Sequence, residues 1–234
     1  MNMNPWTTVQ SQARAEYDMG LRAYMLQVFN YMTLALGISG VVSYGVGISP
    51  ELMMAIWGSP IKWVVMFAPL IMALIMGFGI NSMSTHTAKI CLAVFAGLMG
   101  LSLSSIFAVY TMASIAQVFF ISAATFGTTA LWGYTTKRDL SNMGSLLMMG
   151  LFGLIIAGLV NIFLQSSILQ MACSAIGVLI FVGFTAYDMQ QIKDAYYTAD
   201  GDDRDKAGVL GALNLYLDFV NIFVNLLQLM GDRK

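Results

Sequence analysis

The chain has 234 residues, of which 58% are hydrophobic and 10% charged, and its formal net charge is −1. Soluble globular domains carry about 25% charged residues, so this composition excludes a water-exposed surface over most of the chain. A nucleic-acid binder needs a basic patch, which a near-neutral chain of mean hydropathy +0.74 does not supply. Seven spans of roughly 20 residues need about 140 residues. The sequence therefore predicts an all-α polytopic membrane protein, a seven-helix bundle whose partner is the lipid bilayer.

Residues 1–22 are polar and mixed in charge, with Gln10, Gln12, Arg14, Glu16, Asp18 and Arg22. They lack a basic stretch running into a short apolar core and a small-residue cleavage site, so they are read as a cytoplasmic segment and not as a signal peptide. Residues 23–234 form one transmembrane domain. Its apolar runs lie near 24–47, 63–80, 90–110, 115–134, 143–165, 171–192 and 209–230. Only Thr111–Ser114 separate the third and fourth, which predicts a tight hairpin. Two longer polar connections remain. Thr135–Asn142 is a basic loop in which Asp139 is placed to cap the following helix. Lys193–Gly208, with Asp200, Asp202, Asp203 and Asp205, is read as a solvated loop without calcium-loop spacing. Cys91 and Cys173 lie in apolar runs and are read as small core fillers, and no metal site or cofactor is expected.

Orientation follows from the basic residues. Starting inside, the inner segments hold Arg14, Arg22, Lys89, Lys137, Arg138, Lys193, Arg204 and Lys206, and the outer ones only Lys62, Arg233 and Lys234. The N-terminus is thus expected in the cytoplasm. A last segment that re-enters would instead bring the basic tail inside, but it is long enough to span.

Ionisable residues deep in a bilayer cost roughly 2.5–3.5 kcal/mol at a helix centre, so those present need a reason. Asp188, in Ala186-Tyr187-Asp188-Met189-Gln190-Gln191, and Asp218, in Leu215-Tyr216-Leu217-Asp218-Phe219, are the two such residues. In the last span Asn214, Asp218, Asn221, Asn225 and Gln228 are spaced 4, 3, 4 and 3 apart. At about 100° per residue they fall within an arc of roughly 80°. A stripe of that kind faces other helices or a water-filled cavity, which predicts a central last helix. Its amides serve either as interhelical packing bonds or as a pore lining. Asp188 lies about 7 Å before the expected end of its helix and Asp218 about 13 Å into the next. Measured from one connecting loop, the two carboxyls can meet. A pair that meets repels unless it holds a shared proton, and losing the proton would drive the helices apart. The pair is therefore the candidate pH sensor and gate. The plainer alternative for Asp188 is snorkelling to water or pairing with Lys193.

Gly133 through Ser141, Ala186-Tyr187-Asp188 with Gln191-Ile192-Lys193, and Leu215 through Phe223 together resemble the Bax inhibitor-1 family, also called the transmembrane Bax-inhibitor-motif family, in its bacterial inner-membrane branch. The resemblance implies a seven-helix bundle with the last helix central. It also implies a pH-sensitive calcium leak in which a pair of transmembrane aspartates, matching Asp188 and Asp218, senses protons and gates. Calcium is then the transported ion, not a bound cofactor. Members with this leak carry an arginine near the end of the second helix. The matching stretch here, Ile80-Asn81-Ser82-Met83, has no basic residue.

The resemblance supports a second reading as well, a non-conducting regulator, because some bacterial relatives bind a membrane-embedded ATP-dependent protease. An enzyme is not expected. Intramembrane aspartyl proteases carry a Gly-x-Gly-Asp signature, and Leu215-Tyr216-Leu217-Asp218 lacks both glycines.

Overall fold

The computed structural model describes the backbone from Pro5 to Lys234 and the side chains from Met19. The side chains of Gln10, Gln12, Arg14, Glu16 and Asp18, and the whole of Met1–Asn4, lie outside the described residues. The chain forms nine α-helices over the described residues: α1 Pro5–Gly47, α2 Pro50–Trp57, α3 Ile61–Gly79, α4 Thr85–Leu103, α5 Ile106–Val109, α6 Met112–Thr135, α7 Ser141–Leu164, α8 Ser167–Thr198 and α9 Gly201–Met230. A 3-10 turn, Ile80–Ser82, extends α3. Seven of these stretches are long and apolar enough to cross a membrane, and each coincides with an expected span. The α9 helix is unbroken over its 30 residues and does not re-enter.

Local chemistry sets the breaks. Ser49 caps α2 by accepting from Leu52 N, with Pro50 in the first turn. Pro is favoured there because the first helical N–H has no intrahelical partner. Ser84 and Thr111 cap α4 and α6 through Thr87 N and Ser114 N. Between α7 and α8, Gln165 adopts a left-handed conformation (φ 49°). There Asn161 Oδ1 accepts from Ser166 N at 3.0 Å, replacing a lost helical bond.

The connections sort to two faces. The joint side carries the turns before α4, α7 and α9. The tail side carries α2, α5, the α7–α8 turn and residues 231–234. On the tail side Trp57 Nε1 donates to Ser104 Oγ at 3.0 Å and ties α2 to the end of α4.

The α9 helix has 67% of its most apolar window buried, whereas the other six spans have between 6% and 33%. It packs on α1, α3, α4, α6 and α8. The outer helices turn Phe78, Phe163, Leu179 and Met149 outward, as lipid-facing surfaces do. At Gly100 a Cβ would lie 2.8 Å from Ser39 O, so α1 and α4 approach backbone to backbone there. Small residues at helix crossings drive association in membranes, where lipid is as apolar as the side chains.

One expectation is corrected. Lys193–Gly208 is helix except for Ala199 and Asp200. Asp202 and Asp203 occupy the first turn of α9, where negative charge complements the exposed N–H groups. Arg204 meets Asp200 at 2.9 Å, and Lys206 meets Asp202 at 2.9 Å and Asp203 at 3.2 Å. Arg204 Nε also donates to Ala199 O at 2.9 Å, closing the end of α8. With 32 and 30 residues, α8 and α9 are about 48 and 45 Å long against a hydrocarbon core of about 30 Å. The polar stretch is their overhang on the joint side.

Candidate functional site

The α8 and α9 helices run antiparallel in a fixed register. Gly211 faces Ile192, Gly177 faces Asn225, and Ser174 Oγ donates to Gln228 Oε1 at 2.8 Å. In that register residue 188 lies level with residue 214, and Asp218 stands one turn further along. Because both helices are longer than expected, the aspartates lie further from the α8–α9 joint than the sequence reading placed them. Asp188 is about 15 Å from the end of α8 and Asp218 about 26 Å from the start of α9. Their carboxyls nevertheless lie beside each other across the α8–α9 contact.

Asp218 is 4% exposed, and its Oδ2 is buried with no hydrogen-bond partner. Asp188 is half-buried beside it. Two carboxylates have only acceptors, so a hydrogen bond between them needs a proton on one. Around the pair on the joint side Met189, Ile192, Val209, Ala212 and Leu213 are all buried, and they close the bundle there.

Lys193 does not serve Asp188. Its Nζ donates to Tyr134 O at 3.4 Å and lies 5.5 Å from the Tyr134 ring centroid. Gln190 Oε1 accepts from Leu140 N at 2.7 Å, and its Nε2 donates to Arg138 O at 2.9 Å. The Thr135–Asn142 loop is thus clamped onto α8 two residues from Asp188. Asp139 Oδ1 accepts from Ser141 N at 2.9 Å, but Leu140 holds the N-cap position of α7 without a side-chain bond, so the expected cap acts from one residue further upstream. At Gly133 a Cβ would lie 2.7 Å from Ala186 O, so α6 presses on the backbone of α8 two residues before Asp188.

The rest of the stripe divides. Asn214 is half-buried, level with Asp188. Asn221 Nδ2 and Asn225 Nδ2 donate to Leu217 O and Asn221 O within their own helix, each at 2.8 Å. Of the three residues beyond Asp218, only Gln228 makes an interhelical bond, to Ser174. Asn221 and Gln228 line a cavity of about 560 Å³ on the tail side. Asn225 and Gln228 line a second of about 440 Å³, which includes Cys173, Ser174, Asn161 and Gln165.

A further polar contact joins α9 to α1 and α4. Tyr216 OH and Ser39 Oγ lie 2.7 Å apart, and Ser39 Oγ is also 2.7 Å from Ala96 O. In the 3-10 turn that ends α3, Ile80 is a buried apolar residue. Cys91 and Cys173 are both free thiols. No grouping of three His, Cys, Asp or Glu that could hold a metal ion occurs among the described residues.

Residues 21–234 match the family model described as inhibitor of apoptosis-promoting Bax1. An uncharacterised protein of Rickettsia prowazekii is 44% identical over 97% of both chains. Another from Caulobacter vibrioides is 41% identical over 95% of this chain and 94% of its own. The inner membrane protein YbhL of Escherichia coli strain K12 is 40% identical over 92% of this chain and 94% of its own.

Proposed function

Because the chain belongs to the Bax inhibitor-1 family, we propose that it is a pH-sensitive calcium leak of the bacterial inner membrane, gated by Asp188 and Asp218. The carrying observation is the juxtaposition of the two carboxyls across the α8–α9 contact, with Asp218 Oδ2 buried and without a hydrogen-bond partner. While one proton bridges the pair, α8 and α9 stay together and the buried residues on the joint side close the path. When the proton leaves, two like charges face each other in a poorly solvated site, and repulsion separates the helices.

Asn221, Asn225 and Gln228 supply a polar wall from the pair to the tail side. Calcium as the ion rests on what the family resemblance implies. The excess of basic residues on the joint side supports a reading in which that side, and the N-terminus, face the cytoplasm. The role is conduction and not catalysis, since the sequence around Asp218 carries no protease signature.

The test is flux through purified protein in liposomes, Ca²⁺ against K⁺, across a pH series on both sides of neutrality, because a carboxyl pair that shares a proton responds to pH as a unit. Wild type should pass Ca²⁺ with a rate that rises as the pair loses its proton. Asp218→Asn should flatten that pH response. Protein that passes no ion at any pH overturns the reading. The overhang of α8 and α9 on the joint side favours a second reading, a docking element for a membrane-embedded protease. That reading predicts partner capture unchanged by Asp218→Asn.

A further inference from the structure

Residues 231–234 leave α9 and fold back across the tail side. Thr111 N donates to Asp232 O at 3.0 Å and Lys234 N to Val109 O at 2.9 Å, so Tyr110 and Arg233 pair as an isolated antiparallel bridge. Asp232 N donates to Ser114 Oγ at 2.9 Å, and Lys234 Nζ to Phe107 O at 2.8 Å. Four hydrogen bonds thus pin a short extended strap to the α5–α6 turn. Side chains alternate along such a strap, and Arg233 is the one that lines the cavity of about 560 Å³. Ser102, Ser105, Gln170, Asn221 and Gln228 supply the remaining polar lining, and all are neutral. Arg233 is the single charged residue of that wall.

We infer that Arg233 sets the charge preference of the tail-side vestibule, opposing cation entry and drawing small anions. A guanidinium stays protonated at every working pH and makes five N–H donors available. Backbone pairing on both sides fixes the Arg233 backbone at the rim, and its exposed side chain lines the cavity from there, so its charge acts on whatever enters. The neutral amides and hydroxyls around it orient toward an anion without competing for it. This inference deepens the conduction reading: a fixed positive charge at the tail-side mouth makes any cation leak slow from that side.

The test reads the vestibule without requiring flux. Asn221→Cys is introduced with Cys91→Ala and Cys173→Ala, and is modified with anionic (sulfonatoethyl) or cationic (trimethylammonioethyl) methanethiosulfonate. Arg233→Gln should shift the ratio of the two rates toward the cationic reagent by about tenfold, the scale of one charge acting across a partly solvated cavity. Arg233→Lys should keep the wild-type ratio, which separates charge from folding. A ratio that stays within about twofold in Arg233→Gln, or a cysteine that neither reagent reaches, overturns the inference. In liposomes Arg233→Gln should raise Ca²⁺ entry from the tail side several-fold while leaving the pH response in place. Wild type without flux would remove the conduction reading alone, since the thiol ratio judges Arg233 independently.

Discussion

Replacing Gly133 with alanine tests the packing that holds Asp188 in place. A Cβ there would stand 2.7 Å from Ala186 O, 2.8 Å from Ala186 Cα and 3.1 Å from Ala186 C. Non-bonded carbons settle at about 3.5–4.0 Å, so α6 must retreat from α8 by roughly 0.7 Å. The atoms in the way are backbone and cannot swing aside as a side-chain tip would. Overpacking of this kind costs about 1–3 kcal/mol, partly offset by the better helix propensity of alanine, worth about 1 kcal/mol. The net loss of about 0–2 kcal/mol corresponds to a fall of up to roughly 8 °C in Tm for a chain of this length, and the loss against an alanine placed without a clash on the same helix is about 1–3 kcal/mol. Thermal unfolding in detergent micelles reads it. Gly127→Ala is the control, because it lies on the same helix with nothing within 4 Å of its Cβ position. It should hold or slightly raise Tm. Equal melting of Gly133→Ala and Gly127→Ala would refute the close approach of α6 and α8, and with it the support for Asp188.

The Tyr216–Ser39 contact predicts an asymmetry. Tyr216→Phe removes one interhelical bond while Ser39 keeps Ala96 O, a loss of about 0.6 kcal/mol. Ser39→Ala strands a fully buried Tyr216 hydroxyl and should cost more, about 1–3 kcal/mol. Unfolding in mixed micelles should rank them in that order. Gln190→Leu frees both Leu140 N and Arg138 O, and should speed tryptic cleavage after Lys137 and Arg138 by about tenfold. Unchanged cleavage would show that the loop is held otherwise. Ser141 donates to Asp139 and holds its carboxyl below the ordinary aspartate range. A lowered carboxyl contributes above the unfolded value and loses its contribution as pH falls through the folded one. The Ser141 amide resonance should therefore titrate at lower pH than in a short unstructured peptide, and a midpoint at or above the peptide's would refute the cap.

The seven spans were legible because each is a long apolar run, and α9 because a polar stripe on one face has to avoid lipid. Asp188 and Asp218 stood out through the cost of burying charge. The joint between α8 and α9 was hidden by its polarity, which reads as loop when membrane depth sets the expectation. The signals of helix were nonetheless there, in Asp200 and Arg204, and Asp202 and Lys206, each four apart. Ser49-Pro50-Glu51 likewise announces α2 by capping chemistry. The partners of Asn221 and Asn225 were not legible, since an amide can bond either a neighbouring helix or its own preceding turn. Nor could Gln190 and Gly133 be singled out. Their roles depend on which helix lies opposite, and spacing along one chain does not carry that.

Two long helices joined at one end by only Ala199 and Asp200 would open like tweezers under the repulsion proposed above. The carboxyls sit about 20 Å from the fastening, whereas Ser174 and Gln228 sit nearly twice as far out. A given splay therefore widens the tips about twofold more than it widens the aspartates. Leverage of this sort would break the Ser174–Gln228 bond early and turn a small push between two oxygens into a broad gap at the opposite face.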